Sequence, residues 1–266
     1  MQISADRKKL LYLQSEPSGY LWIANNDGSG ARQITFDERL ILRPSFSPDG
    51  RRLLFSMYDP GFFTSHIYLM NRDGSSRQQL AFGSETVHDY EWSPDGQWIA
   101  YCSAPGSAPR DSSNVYLIAA SNPAAPRLLG RGSRIWWINP KTLIVSRQLK
   151  NWIFSIEGAP PQKFFADSTR VYPFPEEKYV LFKDFRKGRE GWWIVPVAGL
   201  NTSATGPSRK ILPENSSVSI ARNGKSILYP KYGNNVVEIR KISLPDGKDE
   251  LFPVNFPNGN FSLAWA

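Results

Sequence analysis

Tyr90-Glu91-Trp92-Ser93-Pro94-Asp95-Gly96-Gln97-Trp98-Ile99-Ala100-Tyr101 decides the fold. Ser-Pro-Asp-Gly puts an acceptor at the first position of a type I turn, proline at the second and glycine at the fourth. Tyr90 and Trp92 before the turn, and Trp98 and Ala100 after it, alternate with a period of two, which makes a tight β-hairpin. Val115-Tyr116-Leu117-Ile118 predicts a third strand and Arg127-Leu128-Leu129 a short fourth. Four antiparallel strands of this kind form a twisted blade with two apolar faces, which needs neighbours to be stable.

The unit recurs. Phe46-Ser47-Pro48-Asp49-Gly50-Arg51-Arg52-Leu53-Leu54-Phe55 repeats the hairpin, and Ile67-Tyr68-Leu69-Met70-Asn71-Arg72-Asp73-Gly74 repeats the third strand with an Asp-Gly turn signal. Trp92 lies 46 residues after Phe46, and another step of 46 reaches Ile138 in Trp136-Trp137-Ile138-Asn139-Pro140. Fainter copies begin at Phe174 and Ile220. A fixed period of this size predicts one closed array of blades.

The composition agrees. Aromatic residues make up 13% of the 266 residues, including nine tryptophans, which suits the spaces between stacked sheets. The net charge of +8 matters for binding only where it is clustered. Cys102 is the sole cysteine, so the chain has no internal disulfide; it reads as a small core residue on an inner strand. Trp192-Trp193-Ile194-Val195-Pro196-Val197-Ala198 is too short to span a membrane and reads as a buried strand. Met1 to Arg7 carry no apolar signal core.

The expected fold is all-β, a single six-bladed β-propeller over residues 1–266 with four antiparallel strands per blade. The blades fall at about 3–36 (with 261–266), 40–82, 87–129, 133–165, 169–212 and 216–252. Ile3 to Tyr12 reads as the turn and second strand of the first blade, so its inner strand must come from Phe261-Ser262-Leu263-Ala264-Trp265, the C-terminal strand that closes the ring. A chain that starts in mid-blade suggests a domain excised from a longer protein.

The inner strand ending in an aromatic, Ser-Pro-Asp-Gly, Leu-Leu-Phe or Ile-Ala-Tyr, and Ile-Tyr-Leu-Met-Asn-x-Asp-Gly together resemble the TolB-type propeller repeat. The first blade carries a close copy in Leu21-Trp22-Ile23-Ala24-Asn25-Asn26-Asp27-Gly28. The resemblance spans the chain and is sharpest over its first half. It implies six blades but no single activity. Similar propellers serve as TolB itself, as the gate domain of prolyl oligopeptidases, and as modules of bacterial kinases and winged-helix regulators.

Catalytic motifs are missing. No serine sits in Gly-x-Ser-x-Gly, His66 and His88 are the only histidines, and no Gly-rich phosphate loop precedes a helix. The expectation is therefore that the chain is not an enzyme and needs no metal or cofactor. Turn acids such as Asp49, Asp73 and Asp95 are explained by turn geometry. An enzyme acting on a glycan or lactone, with carboxylates round the channel, is the alternative.

Binding would use the face that collects the second-to-third-strand loops and the connections between blades. Phe62, Phe63, Arg147, Lys150, Trp152, Lys183, Arg186, Lys187 and Lys231 fall there, with Arg189, Phe185 and Tyr232. One reading is a surface for a protein or peptide partner with acidic groups. The other is solvated lysines, with the aromatics folded back as plugs between blades. At the channel mouth, His88, Asp89, Arg134 and Arg170 precede their inner-strand anchors and could hold a chain terminus or a small polar ligand. Nucleic-acid binding rests on charge and interleaved aromatics alone. The expected role is a binding or sensory module of a larger bacterial signalling or envelope protein, with a periplasmic setting favoured over a cytoplasmic one.

Overall fold

A computed structural model describes residues 2–251 apart from residues 5, 7, 15–18, 37–38, 60, 62–63, 81–84, 107, 122–124, 165–166, 168, 175–178, 197–206, 214–215, 217, 221–224, 233–236 and 245. The chain is an all-β, six-bladed propeller of six four-stranded antiparallel sheets. Blade one holds β1 (Gln2–Ile3), β2 (Lys9–Gln14), β3 (Tyr20–Asn25) and β4 (Arg32–Gln33). Blade two holds β5 (Ile41–Phe46), β6 (Arg52–Asp59), β7 (Thr64–Asn71) and β8 (Gln78–Gln79). Blade three holds β9 (Glu85–Trp92), β10 (Trp98–Pro105), β11 (Asn114–Ala119) and β12 (Arg127–Arg131). Blade four holds β13 (Arg134–Asn139), β14 (Thr142–Arg147), β15 (Lys150–Ser155) and β16 (Gln162–Lys163). Blade five holds β17 (Thr169–Phe174), β18 (Tyr179–Asp184), β19 (Gly191–Pro196) and β20 (Arg209–Leu212). Blade six holds β21 (Ser219–Ile220), β22 (Ser226–Tyr232), β23 (Val237–Ser243) and β24 (Asp249–Leu251).

The turn chemistry explains the hairpins. The Gly50 and Gly96 amides donate to the Ser47 and Ser93 carbonyls at 2.8 and 2.9 Å, closing each Ser-Pro-Asp-Gly turn. The Ser47 and Ser93 hydroxyls donate to Asp49 and Asp95 at 2.5 and 2.6 Å and accept the Arg52 and Trp98 amides at 2.9 Å. Ser4 and Asp6 repeat this pattern against Lys9 in blade one, a copy with neither proline nor glycine. Hydrogen bonds from Ser47 and the Arg51 amide outweigh burial at Asp49, and its carboxyl lies below the usual range. These acids are turn parts. In blade four the copy shrinks to Asn139-Pro140-Lys141, where the Lys141 amide donates to the Asn139 side chain at 2.9 Å.

The start of the chain departs from expectation. Gln2 and Ile3 pair with Leu11 and Leu10, so the N-terminal residues themselves supply the innermost strand of the first sheet. Residues 261–266, to which ring closure was assigned, lie outside the described residues. His66 stands within β7 rather than ahead of it.

Two compact units make up the chain: Met1–Gln148 with Trp152–Lys163, and Leu149–Asn151 with Phe164–Ala266. In the first, facing sheets bury apolar rows. Leu11, Leu21 and Ile23 of blade one meet Phe46, Leu53, Phe55 and Tyr68 of blade two. Leu54, Ile67 and Leu69 of blade two meet Tyr90, Trp92 and Ile99 of blade three. Ala100, Cys102, Val115 and Leu117 meet Ile135, Leu143, Val145 and Phe154 of blade four. In the second unit, Tyr179, Leu181, Trp192 and Ile194 of blade five meet Ile227, Tyr229 and Ile242 of blade six. Each buried leucine or isoleucine contributes about 1.5–3 kcal/mol. Cys102 is fully buried, in the second strand of its blade rather than the inner one, and burial pushes its thiol well up.

Candidate functional site

Innermost strands carry the polar chemistry of the first unit. A bulge displaces residues 43–44 of β5, where Arg43 takes a φ of 48°, and a second bulge falls at His88 of β9. Bulges re-aim side chains, and here they bring adjacent blades together. Arg43 pairs with the buried Asp89 one blade on, and its guanidinium lies 5.1 Å from the centre of the Tyr90 ring. Burial alone would lower the Arg43 value, but Asp89 more than offsets it. The other Asp89 oxygen accepts the Ile135 amide at 3.0 Å, and Glu91 accepts the Trp137 amide at 3.1 Å. The Tyr90 hydroxyl reaches the Leu42 and Arg43 carbonyls at 2.8 and 2.9 Å, and burial pushes it up to about 12.

The two histidine-side residues of the expected channel mouth therefore differ. Both oxygens of Asp89 are engaged by neighbouring blades. The His88 carbonyl accepts Arg110 at 2.9 Å, while its Nε2 is buried without a hydrogen-bond partner. Burial and then the Arg110 charge hold the imidazole below its ordinary value. Arg134 begins β13 opposite Ser146. On the loop face, Arg147 is half-buried with its Nε unpartnered, and Trp152 packs against the core between blades three and four. Phe62 and Phe63 lie outside the described residues. The turn from Arg147 to Lys150 is a tight one, with Gln148 and Leu149 at φ 51° and 57°, in place of the longer loop expected there. A groove of about 560 Å³, lined by Arg32, Thr35, Phe36, Met70, Asp73 and Arg77, runs beside β4.

The second unit gathers cations at the loop end of blade five. Arg170 and Lys183 are direct cross-strand partners. Arg170 lies 5.9 Å and Lys183 5.5 Å from the centre of the Phe185 ring, and Lys183 is also 5.8 Å from Trp192. Asp184 is fully buried and points to the other face of the strand. Its oxygens accept Arg186 Nε and Nη2 at 2.9 and 2.6 Å, the Arg186 amide at 3.0 Å and Arg189 Nε at 3.3 Å. Burial pushes this carboxyl up, but the Arg186 and Arg189 hydrogen bonds outweigh it and leave it below the ordinary value. Arg189 stacks 4.3 Å from the centre of the Trp193 ring. Lys150, Lys187, Lys231 and Tyr232 are exposed. Sequence reasoning had named Arg170 and Lys183 for different places; the strand register that makes them neighbours was the signal it lacked. Asp184, two residues from Arg186 and five from Arg189, was legible as their partner and went unused.

No family model matches this sequence, and no curated protein matches it. Solved structures do. TolB from Acinetobacter baumannii superposes with a TM-score of 0.59 at 16% identity, covering 88% of this chain and 60% of its own. Oligogalacturonate lyase from Vibrio parahaemolyticus gives 0.68 at 11% identity, covering 94% of this chain and 75% of its own. A Mycobacterium tuberculosis puromycin-hydrolysing peptidase gives 0.64 at 13% identity, covering 95% of this chain and 45% of its own. The fold is thus a TolB-like six-bladed propeller, and this chain spans 60% of the TolB chain it matches. At such identities the likeness concerns the fold.

These neighbours overturn one expectation. Missing motifs and scarce histidines lead to the expectation that the chain is not an enzyme, yet the same fold is that of a lyase and is carried by a peptidase. Motif absence therefore does not decide catalysis for this fold. Among the described residues, no group of three or more His, Cys, Asp or Glu could hold a metal ion, and no helix is long and apolar enough to cross a membrane.

Proposed function

We propose that this propeller binds a protein or peptide partner, or a small polar ligand, through acidic groups received by the cationic loop ends of blades four to six in the second unit. One observation carries the reading. Residues 183–190 hold four cations against two acids, and the buried one of those acids, Asp184, is engaged by Arg186 and Arg189. Lys183 and Lys187 are left to act outward, and Lys150 and Lys231 are exposed in the same unit. Cations on neighbouring loops add their fields and steer an anion towards the face. The reading includes a place in a larger bacterial envelope or signalling protein, on the extracytoplasmic side, as the TolB-like fold suggests.

The test is fluorescence anisotropy with a labelled hexaglutamate peptide. Binding at low salt that weakens as salt rises, with none to hexalysine, is expected. Equal affinity for both peptides would refute it. A DNA oligonucleotide bound more tightly than hexaglutamate, with a steep salt slope, would replace the reading with nucleic-acid binding.

A second reading draws on the lyase superposition at a TM-score of 0.68. An acidic glycan would suit the same cations of the second unit. Unsaturated products released from oligogalacturonate, followed by absorbance, would establish it; an unchanged substrate would remove it.

A further inference from the structure

One facing pair of cations in blade five makes no ion pair among the described residues. Arg170 and Lys183 face each other directly across β17 and β18, an arrangement that costs stability because like charges on opposed residues repel. Neither makes an ion pair among the described residues, and Arg170 Nε is buried without a hydrogen-bond partner. The adjacent acid does not help: Asp184 lies on the opposite side of the strand, bonded to Arg186 and Arg189. What the pair does share is an aromatic floor. Both cations lie within 6 Å of the Phe185 ring centre, and Lys183 also sits by Trp192, whose Nε1 donates to the Ser216 carbonyl of blade six at 3.1 Å. Rings attract cations but neutralise no charge. They also exclude water, which strengthens whatever anion does arrive.

We propose that Arg170 and Lys183 form a carboxylate-binding pair, with Phe185 as its floor, at the loop end of the blade five–blade six seam. The inference rests on the acidic-partner reading above and names the group recognised. A planar monoanion between the Arg170 Nη groups and Lys183 Nζ relieves their repulsion and receives charge-assisted hydrogen bonds from both. Such a carboxylate can come from a Glu or Asp side chain or from a peptide C-terminus.

Two labelled peptides separate those sources: hexaglutamate with an amidated C-terminus, and a Gly-Ser hexapeptide with a free one. Arg170→Gln and Lys183→Gln are each expected to weaken the recognised peptide about tenfold, which is about 1.4 kcal/mol. Lys183→Arg, which keeps the charge, should restore most of the affinity. Acetate should compete better than inorganic phosphate. Arg170→Gln and Lys183→Gln binding as tightly as the parent would overturn the pair, and so would phosphate competing better than acetate. If those variants bind normally while a Lys150→Gln/Lys187→Gln/Lys231→Gln variant binds weakly, only this inference falls. If the parent binds neither peptide at low salt, the broader reading falls with it. Lys183→Gln should leave the melting temperature unlowered; a drop with unchanged binding would make Lys183 a packing residue.

Discussion

Asp89 accepts the Ile135 amide at 3.0 Å with one carboxylate oxygen and holds the Arg43 guanidinium with the other. The three residues are spaced 46 apart, so equivalent positions of blades two, three and four meet through one side chain. Asp89→Ala strands a buried amide and an arginine together. A loss of about 3 kcal/mol in unfolding free energy is expected, measured by urea denaturation. A loss below about 0.5 kcal/mol would show that the carboxylate does not bind the blades.

Asp184 plays a comparable part within blade five, so Asp184→Ala, which removes the buried acceptor of the Arg186 and Arg189 hydrogen bonds, should cost about 1.5–3 kcal/mol. Its folded carboxyl lies below the ordinary value of 3.8, so the contribution is present above that pH and is lost as pH falls through the lower folded value. The parent should therefore unfold more steeply below pH 4 than the variant, as followed by circular dichroism.

The histidines act over a different range. Burial, opposed by the attraction of Asp59 at His66 and reinforced by Arg110 at His88, holds both below the ordinary 6.5. The unfolded chain then binds more protons, and stability present above pH 6.5 declines as pH falls towards the folded values. Melting temperature should drop between pH 7 and pH 5, and a His66→Gln/His88→Gln variant should flatten that slope. An unchanged slope would assign it to other groups.

Gly191 stands opposite Asp184 at a φ of 138°, and a Cβ there would lie 2.7 Å from the Leu212 carbonyl oxygen. Backbone cannot yield as a side chain can. Gly191→Ala should cost about 1–3 kcal/mol, against a smaller loss for Gly158→Ala, where the space is open. Chemical denaturation of both variants gives the comparison.

Cys102 is buried with its thiol raised, so it should resist a thiol reagent in the folded protein and react once in denaturant. Labelling at the native rate of a free thiol would contradict its burial.

Much of the fold was legible in local chemistry. Ser47-Pro48-Asp49-Gly50 and Ser93-Pro94-Asp95-Gly96 dictate their turns through bonds within five residues, and alternation around them sets which side chains are buried. The fainter copies at Phe174 and Ile220 also stand in innermost strands. The first strand was misplaced because two residues, Gln2 and Ile3, are too short a run to show a period.

The site was less legible, for a physical reason. Sequence determined that cations crowd the loops of blades four to six, since that needs only residue identity and strand order. Which charges remain available depends on partners set by register and by folding: Asp89 is held by residues 46 positions away on either side, and Arg170 meets Lys183 only because β17 and β18 pair where they do. Electrostatic energy falls with distance in space rather than along the chain, so only the tertiary structure could decide which cations pair with a carboxylate.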